Sequence, residues 1–118
     1  MGNCIITKKK ITRNIKLLLP NTQTSASKGM IYNVGSNTYT WDLGTLYYNA
    51  VICYSLRQFS SGTDTLSYST NNSSYTTIVT ASVGNPYTGR LAVSSVRYIK
   101  YYNSGGYSIR NVAVAVLE

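Results

Sequence analysis

No window of the sequence keeps a helical apolar period for three turns, and this feature limits the fold more than any other. Instead, β-branched and aromatic residues recur in short runs that end at Gly, Asn or Ser, which is the pattern of strands joined by turns. We predict strands at residues 11–19, 30–34, 38–43, 50–56, 65–70, 75–81, 90–93, 96–102 and 107–117. Short strands at this spacing indicate an all-β, antiparallel β-sandwich.

Alternation within the runs predicts which side chains face the interior. Residues 11–19 place Ile11, Ile15, Leu17 and Leu19 on one half-buried face before Pro20 ends the strand. Much of the remaining core is expected from ten residues: Trp41, Leu43, Val51, Cys53, Tyr68, Ile78, Tyr98, Ile109, Val112 and Val114.

The chain length allows one ordinary domain. The 118 residues leave little room for a second hydrophobic core, and the polar stretches are as long as turns and shorter than linkers. We therefore predict a basic N-terminal arm with a strand at residues 1–20, integrated with a sandwich domain at residues 21–118.

Charge and composition argue against an enzyme. Histidine is absent, so no His-based catalytic triad or imidazole metal ligand can be drawn. Eleven Lys and Arg residues face three acids, Asp42, Asp64 and Glu118, for a net charge of +8. Asp42 and Asp64 form the only carboxylate pair that we considered for acid/base chemistry, and nothing local brings them together. We expect a binding or structural protein with no catalytic residues, no metal site and no cofactor.

Four segments of the chain form a characteristic order of motifs. They are Trp41-Asp42-Leu43-Gly44 with the apolar strand 50–54 that follows it, the strand–turn–strand segment 66–78, the strand 96–102 and the closing strand 109–114. In this order they resemble the discoidin-like family, the coagulation-factor type C or galactose-binding-like jelly rolls. Together they span about two-thirds of the chain, whereas the first 39 residues match poorly. The resemblance implies a galactose-binding-like jelly roll.

The same resemblance implies where a ligand would bind. Sugar-binding members use an arginine after the strand that follows Asp-Leu-Gly and an aromatic residue near the start of the last strand, and Arg57 and Tyr107 stand in those places. The loops at 58–63, 83–88 and 103–106 are expected to lie at the same end of the sandwich. The ligand-binding residues are then Arg57, Gln58, Phe59, Tyr87 and Tyr107. Tyr47 and Tyr48 are expected to be exposed or interfacial at the opposite end.

The N-terminal arm is a candidate partner surface. Its apolar and basic side chains are expected to contact another subunit, through Cys4, Ile5, Ile6, Lys8, Lys9 and Lys10. Cys4 and Cys53 could form one disulfide, but no sequence spacing predicts it, and we favour free, half-buried thiols. The first residues lack a signal peptide and no apolar run is long enough for a membrane helix, so we expect synthesis in a host cytoplasm and no membrane partner.

Three functions fit these features. The first is a structural or attachment subunit of a phage-like virion, in multi-copy contact with other virion proteins, because the opening Asn3–Lys8 segment resembles small phage structural proteins and a fold usually used outside cells lacks a signal peptide. The second is a carbohydrate-binding module for a surface glycan. The third is nucleic-acid binding through the basic arm, which ranks last because no aromatic residue interleaves with the lysines.

Overall fold

The computed structural model of the chain describes residues 14–18, 30–33, 37–59 and 62–117, with the backbone alone described at 30–33, 37, 106 and 107. This part of the chain contains seven strands and no helix. The strands are β1 (Ile15–Leu18), β2 (Met30–Asn33), β3 (Asn37–Gln58), β4 (Asp64–Ser69), β5 (Thr76–Ala81), β6 (Tyr87–Asn103) and β7 (Gly106–Leu117). The predicted all-β class is confirmed.

The strands form one antiparallel hydrogen-bonded sheet in the order β1-β7-β3-β6-β4-β5. β2 also pairs with β7, alongside the first residues of β7, whereas β1 pairs with its last residues. The long strands β3 and β6 pair along almost their whole length. Each of these two strands is therefore long enough to take part in both of the layers described below.

β3 contains a bulge and, after it, a change in which of its residues face inwards. Asp42 pairs with Tyr98 and Tyr47 pairs with Val96, so β3 advances five residues where β6 advances two. Tyr47, just after the bulge, still packs against the core like the odd-numbered Trp41 and Leu43, and from Ala50 onwards the buried positions of β3 are even-numbered. Gly44 and Asn49, with φ of 97° and 52°, take left-handed conformations at this bend. The predicted break between two strands at residues 43 and 50 is therefore a bulge inside one strand.

The bend folds the sheet into two facing layers. The first, the β4 layer, contains β5, β4, the end of β6 and the start of β3; the second, the β7 layer, contains the start of β6, the end of β3, β7 and β1. Side chains from the two layers meet between them: Gln58 donates to Asp64, and the Arg110 guanidinium lies 4.8 Å from the Tyr39 ring centroid. The predicted sandwich is confirmed.

The buried apolar core lies between these layers. Its members are Ala50, Ile52, Leu56, Leu66, Ala81, Val93, Val96, Ile99, Tyr101, Val112, Val114 and Val116. The predictions for Val112 and Val114 are confirmed, and Trp41, Leu43, Tyr68 and Ile78 pack against the core while partly buried. The prediction for Val51 and Cys53 is wrong, because the inward-facing positions change between Tyr47 and Ala50, and Ala50 and Ile52 are buried in their place.

β1 lies at the edge of the β7 layer. Ile15 and Leu17 are 70% and 58% exposed, so the predicted half-buried face is wrong for these two residues. An edge strand with one neighbour covers its side chains poorly, and β1 pairs only with β7 among the described strands. Ile11, Leu19 and the predicted domain boundary after residue 20 lie outside the described residues.

Candidate functional site

Three connections meet at one end of the sandwich, which we call the loop end. Gln58 forms a parallel bridge with Val83, and the backbone amide of Ser104 donates to the carbonyl of Thr63 at 2.9 Å. Thr63 N also donates to Ser104 Oγ at 2.7 Å. The described parts of the loops 58–63, 83–88 and 103–106 therefore lie together, as the strand order predicted.

Arg57 and Phe59 are the exposed side chains of the site at the end of β3. The Arg57 guanidinium lies 4.7 Å from the centroid of the Phe59 ring, a cation–π distance. Phe59 is 42% exposed, and Arg57 is also exposed. The two predicted ligand-contacting residues form one amphipathic surface pair.

Gln58 has a different position from the one predicted. Its side chain is fully buried, because it stands on the inward face of β3 between the outward-facing Arg57 and the exposed Phe59. Gln58 Nε2 donates to Asp64 Oδ1 at 3.0 Å and to the carbonyl of Gly105 at 3.2 Å. It cannot contact a surface ligand directly, and instead ties β3 to the turn between β6 and β7.

The two predicted tyrosines lie at the starts of strands. Tyr87 begins β6, pairs with Leu56 and packs half-buried against the core, and its hydroxyl is 3.4 Å from Ser82 Oγ. Tyr107 lies in β7 opposite Tyr32 of β2. The prediction that the Tyr107 side chain binds ligand lies outside what the structure describes.

A buried polar network supports the loop end from below. Asp64 Oδ1 accepts from Gln58 at 3.0 Å and from Asn103 Nδ2 at 2.7 Å. Asn103 Nδ2 also lies 3.1 Å from Ser108 Oγ, while Asn103 Oδ1 accepts from the backbone amide of Gly105 at 2.6 Å. Ser108 in turn shares a 2.7 Å hydrogen bond with the hydroxyl of Tyr101. The network joins β3, β4, β6 and β7 at one place.

Burial determines the protonation behaviour of this network. Loss of solvent raises the pKa of the Asp64 carboxyl, and the hydrogen bonds of the neighbouring polar groups oppose that effect. Asp64 Oδ2 is buried without a hydrogen-bond partner in the described part of the chain. Burial also raises the pKa of Tyr101 to about 12, so its hydroxyl remains a donor at neutral pH.

Arg110, on β7, is buried beside this network. Its guanidinium lies 4.8 Å from the ring centroids of Tyr39 and Tyr101 and 5.4 Å from that of Trp41. The side chain is 6% exposed, and burial lowers the pKa of the guanidinium. The aromatic faces attract this cation at a depth where water is excluded.

The sequence pattern did not predict this buried polar group. Asn103 and Ser108 are polar residues at inward positions of alternating strands, and this was the available signal. Which inward polar residues meet depends on the facing layer, which the alternation of one strand does not reveal.

The two acids considered for acid/base chemistry are far apart. Asp42 is exposed near the bend, where Arg97 Nε and Nη2 donate to its two oxygens at 2.8 and 3.1 Å. Asp64 is buried at the loop end. Asp42 pairs with Tyr98, which pairs in turn with Ser69 of β4, and Ser69 lies five residues from Asp64, or roughly 17 Å along the strand. The two acids cannot act together on one substrate. Within the described residues, no three His, Cys, Asp or Glu side chains are grouped to hold a metal ion.

Several predicted contacts lie outside the described residues. These are the partner-binding residues Cys4, Ile5, Ile6, Lys8, Lys9 and Lys10. Cys53 is a free, half-buried thiol, while Cys4 is outside the described part of the chain. The described segments include no helix that is long and apolar enough to cross a membrane.

Comparison with solved structures identifies similar folds. The C-terminal CBM6, a carbohydrate-binding module, of LamC, a marine laminarinase from Zobellia galactanivorans, matches with a TM-score of 0.50 and 17% identity over 87% of this chain and 99% of that one. A chitosan-binding module from a Paenibacillus sp. IK-5 chitosanase/glucanase matches at a TM-score of 0.43 and 13% identity, over 85% and 93% of the two chains. The Yersinia pseudotuberculosis-derived mitogen also matches at a TM-score of 0.43, with 12% identity over 91% and 88%.

The comparison with the LamC module bears on the fold alone. The similarity to the LamC module supports the galactose-binding-like jelly roll that the sequence predicted. No protein-family model matches the sequence, and no curated protein matches it significantly.

Proposed function

We propose that this domain is a non-catalytic carbohydrate-binding module that takes a glycan at the loop end. The observation that carries the proposal is the exposed Arg57–Phe59 pair, with 4.7 Å between guanidinium and ring centroid. A sugar presents both apolar C–H faces and hydroxyl groups, so an aromatic ring beside a multiple hydrogen-bond donor matches its two kinds of surface.

Each member of the pair has a distinct role in this proposal. Phe59 provides an apolar ring for the C–H face of a sugar, and Arg57 provides planar N–H donors for hydroxyl or carboxylate oxygens. The neighbouring turns, held together by the Thr63–Ser104 contacts, supply backbone groups around the ligand. The LamC module's fold is consistent with this use.

The buried network beneath the pair supports binding by limiting motion before the ligand arrives. Gln58 lies between Arg57 and Phe59 in sequence, and its amide is held by Asp64 and Gly105. A site whose backbone is already fixed loses less conformational entropy when it binds.

Acidic and neutral glycans are both included in the test. At the loop end Asp64 is buried, and Asp42 lies near the bend, so the acids of the described residues do not repel an anionic sugar from Arg57. The net charge of +8 would favour encounter with an anionic glycan, and high salt would reduce that contribution.

A glycan array followed by calorimetry tests the proposal. The array is probed with the wild type, Arg57→Ala and Phe59→Ala, and with Arg90→Ala as the matched control, since Arg90 is an exposed arginine opposite Cys53 on β6. Each loop-end variant should weaken binding about tenfold, equivalent to about 1.4 kcal/mol, whereas Arg90→Ala should not. The proposal fails if no glycan binds, or if binding is the same in all four proteins.

Other functions considered from the sequence stay predictions. Neither the described residues nor the similar folds supply evidence for a place in a virion. The proposed absence of catalysis rests on the lack of histidine and on the separation of Asp42 from Asp64.

A further inference from the structure

A second cleft lies at the other end of the sandwich, which we call the bend end. It has a volume of about 290 Å³ and lies between the β4–β5 hairpin and the bend of β6. Its walls include Thr70, Asn71, Ser74, Thr76, Ser94 and Ser95. β4 and the end of β6 run the length of the β4 layer between this cleft and the loop end, so the two locations are separate.

The lining of the cleft is polar and uncharged. The hydroxyl groups of Thr70, Ser74, Thr76, Ser94 and Ser95 have no hydrogen-bond partner within the described part of the chain. Among the described residues, no Lys, Arg, Asp or Glu lines the cleft. The nearby Arg97 is already bound to Asp42, and the Lys100 ammonium lies over the Tyr75 ring at 3.8 Å. An ionic ligand would therefore find no opposite charge in the cleft, whereas a neutral polyol would find several donors and acceptors.

The hairpin wall of the cleft has a fixed shape. Asn71 Oδ1 accepts from the backbone amides of Ser73 and Ser74 at 2.9 and 3.0 Å. Ser69 Oγ accepts from the amides of Asn71 and Asn72 at 3.1 and 3.0 Å. These bonds hold the turn in place and orient the side chains of its wall before a ligand binds.

An exposed aromatic residue stands beside the cleft. Tyr48 is 66% exposed and pairs directly with Ser95 across β3 and β6. Paired residues of an antiparallel sheet present their side chains on the same face, about 4.5–5.5 Å apart. The preceding residue, Tyr47, packs against the core. The predicted exposure at this end is thus confirmed for Tyr48, and no contact within the described part of the protein explains it.

We propose that the bend-end cleft is a second binding site, specific for a neutral carbohydrate unit, with Tyr48 stacking on the sugar and the surrounding Ser, Thr and Asn side chains bonding its hydroxyls. The volume is near the lower limit of small-molecule sites, about 300 Å³, which suits one sugar unit with its neighbours extending into solvent. The site does not depend on the loop-end function, because it uses different residues at the opposite end of the layer.

The test is amide chemical-shift mapping by NMR with cellotriose and laminaritriose as neutral probes, together with the neutral glycans that bind on an array. Amides of Thr70, Asn71, Ser94 and Ser95 should shift on titration. Tyr48→Ala should weaken binding measured from these shifts about tenfold. Because Tyr48 is largely exposed, this variant should melt at the wild-type temperature.

Matched variants separate this site from the loop end. Thr76→Ala should weaken the same shifts, whereas Thr77→Ala, at the exposed neighbouring position outside the cleft, should not. Phe59→Ala should leave them unchanged. Shifts confined to the loop end would overturn this proposal and leave the loop-end function standing. The proposal is equally wrong if no neutral glycan shifts the bend-end amides, or if Tyr48→Ala and Thr76→Ala bind as the wild type does.

Discussion

The side-chain amide of Asn103 donates a 2.7 Å hydrogen bond to Oδ1 of Asp64, and both side chains are fully buried. The same Asp64 oxygen accepts from Gln58. One carboxylate oxygen therefore links the end of β3 to the end of β6, and through Asn103 Oδ1 it also positions the turn at Gly105. The loop end is held from inside the sandwich.

The first prediction concerns the pH dependence that Asp64 introduces. Burial raises the pKa of Asp64 in the folded state above its ordinary value of 3.8, so the folded chain takes up this proton at a higher pH than the unfolded chain. Stability attributable to Asp64 therefore rises as pH falls towards that ordinary value. Asp64→Asn removes this dependence. The free energy of unfolding of Asp64→Asn minus that of the wild type, both from urea denaturation, should be larger at about pH 7 than at about pH 4.5. A constant difference between these pH values would contradict the assignment.

Asp42 supplies a second prediction, of opposite sign. The hydrogen bond from Arg97 and that from the Gly44 amide lower the pKa of Asp42 below 3.8. The stability from this group is present above its ordinary pKa and is lost as pH falls through the lowered value. Arg97→Ala should raise the pKa of Asp42 towards 3.8, measured by NMR titration of the carboxyl carbon. Lys100→Ala, which removes a cation placed over Tyr75, is the control and should leave the pKa of Asp42 nearly unchanged.

The third prediction tests the buried cation. Arg110→Ala should lower the free energy of unfolding by about 3 kcal/mol, because it leaves a space among three rings and removes the cation–π contacts. Arg110→Met fills most of that space without charge and should lose only about 1–2 kcal/mol. Urea denaturation followed by the fluorescence of the single tryptophan, Trp41, measures both. Arg90→Ala, at an exposed position, should change stability by less than about 0.5 kcal/mol. Equal losses in the Ala and Met variants would show that the charge is essential and its packing secondary.

The fourth prediction concerns Gly62 and the shape of the loop end. A Cβ at Gly62 would collide with the backbone carbonyl of Gly105 and lie 3.0 Å from Ser104 Oγ, so the turn between β6 and β7 must move. We expect Gly62→Ala to weaken glycan binding at the loop end about tenfold, because the Thr63–Ser104 contacts shift with the turn. Calorimetry with a glycan bound by the wild type measures the change.

Gly44→Ala is the matched control for that experiment. Gly44 has a φ of 97°, and a methyl group added there would meet no described atom within 4 Å, so the substitution strains the backbone at the bend without a collision. It should cost about 1–2 kcal/mol of stability and leave loop-end binding intact. If both glycine variants weaken binding equally, general destabilisation explains the loss and the local role of Gly62 is wrong.

The gathering of the loops was predicted from the sequence with residues 90–93 and 96–102 taken as two strands that cross the sandwich in turn. In the structure they are two parts of one bent strand, β6, which both begins and ends near the loop end. Arg57 and Phe59 follow from that position, since both lie where β3 leaves the sheet. The burial of the Gln58 side chain was not predictable from that position. This burial depends on the change of inward-facing positions between Tyr47 and Ala50, which sets the face of the later residues of β3 and is not visible in the alternation of the sequence.

The sequence by itself determined the all-β class and the position of most turns, because alternation and turn residues are local properties of the chain. It also determined the lack of imidazole chemistry, since no histidine is present. Only the tertiary structure decided that Asp64, Asn103 and Ser108 meet, and that Arg110 lies among Tyr39, Trp41 and Tyr101. The physical reason is that Asp64 and Asn103 meet through the pairing of β4 with β6, whereas Ser108 and Arg110 reach their partners from the opposite layer, and both depend on strand pairing and on how the bend superimposes two distant parts of the sheet.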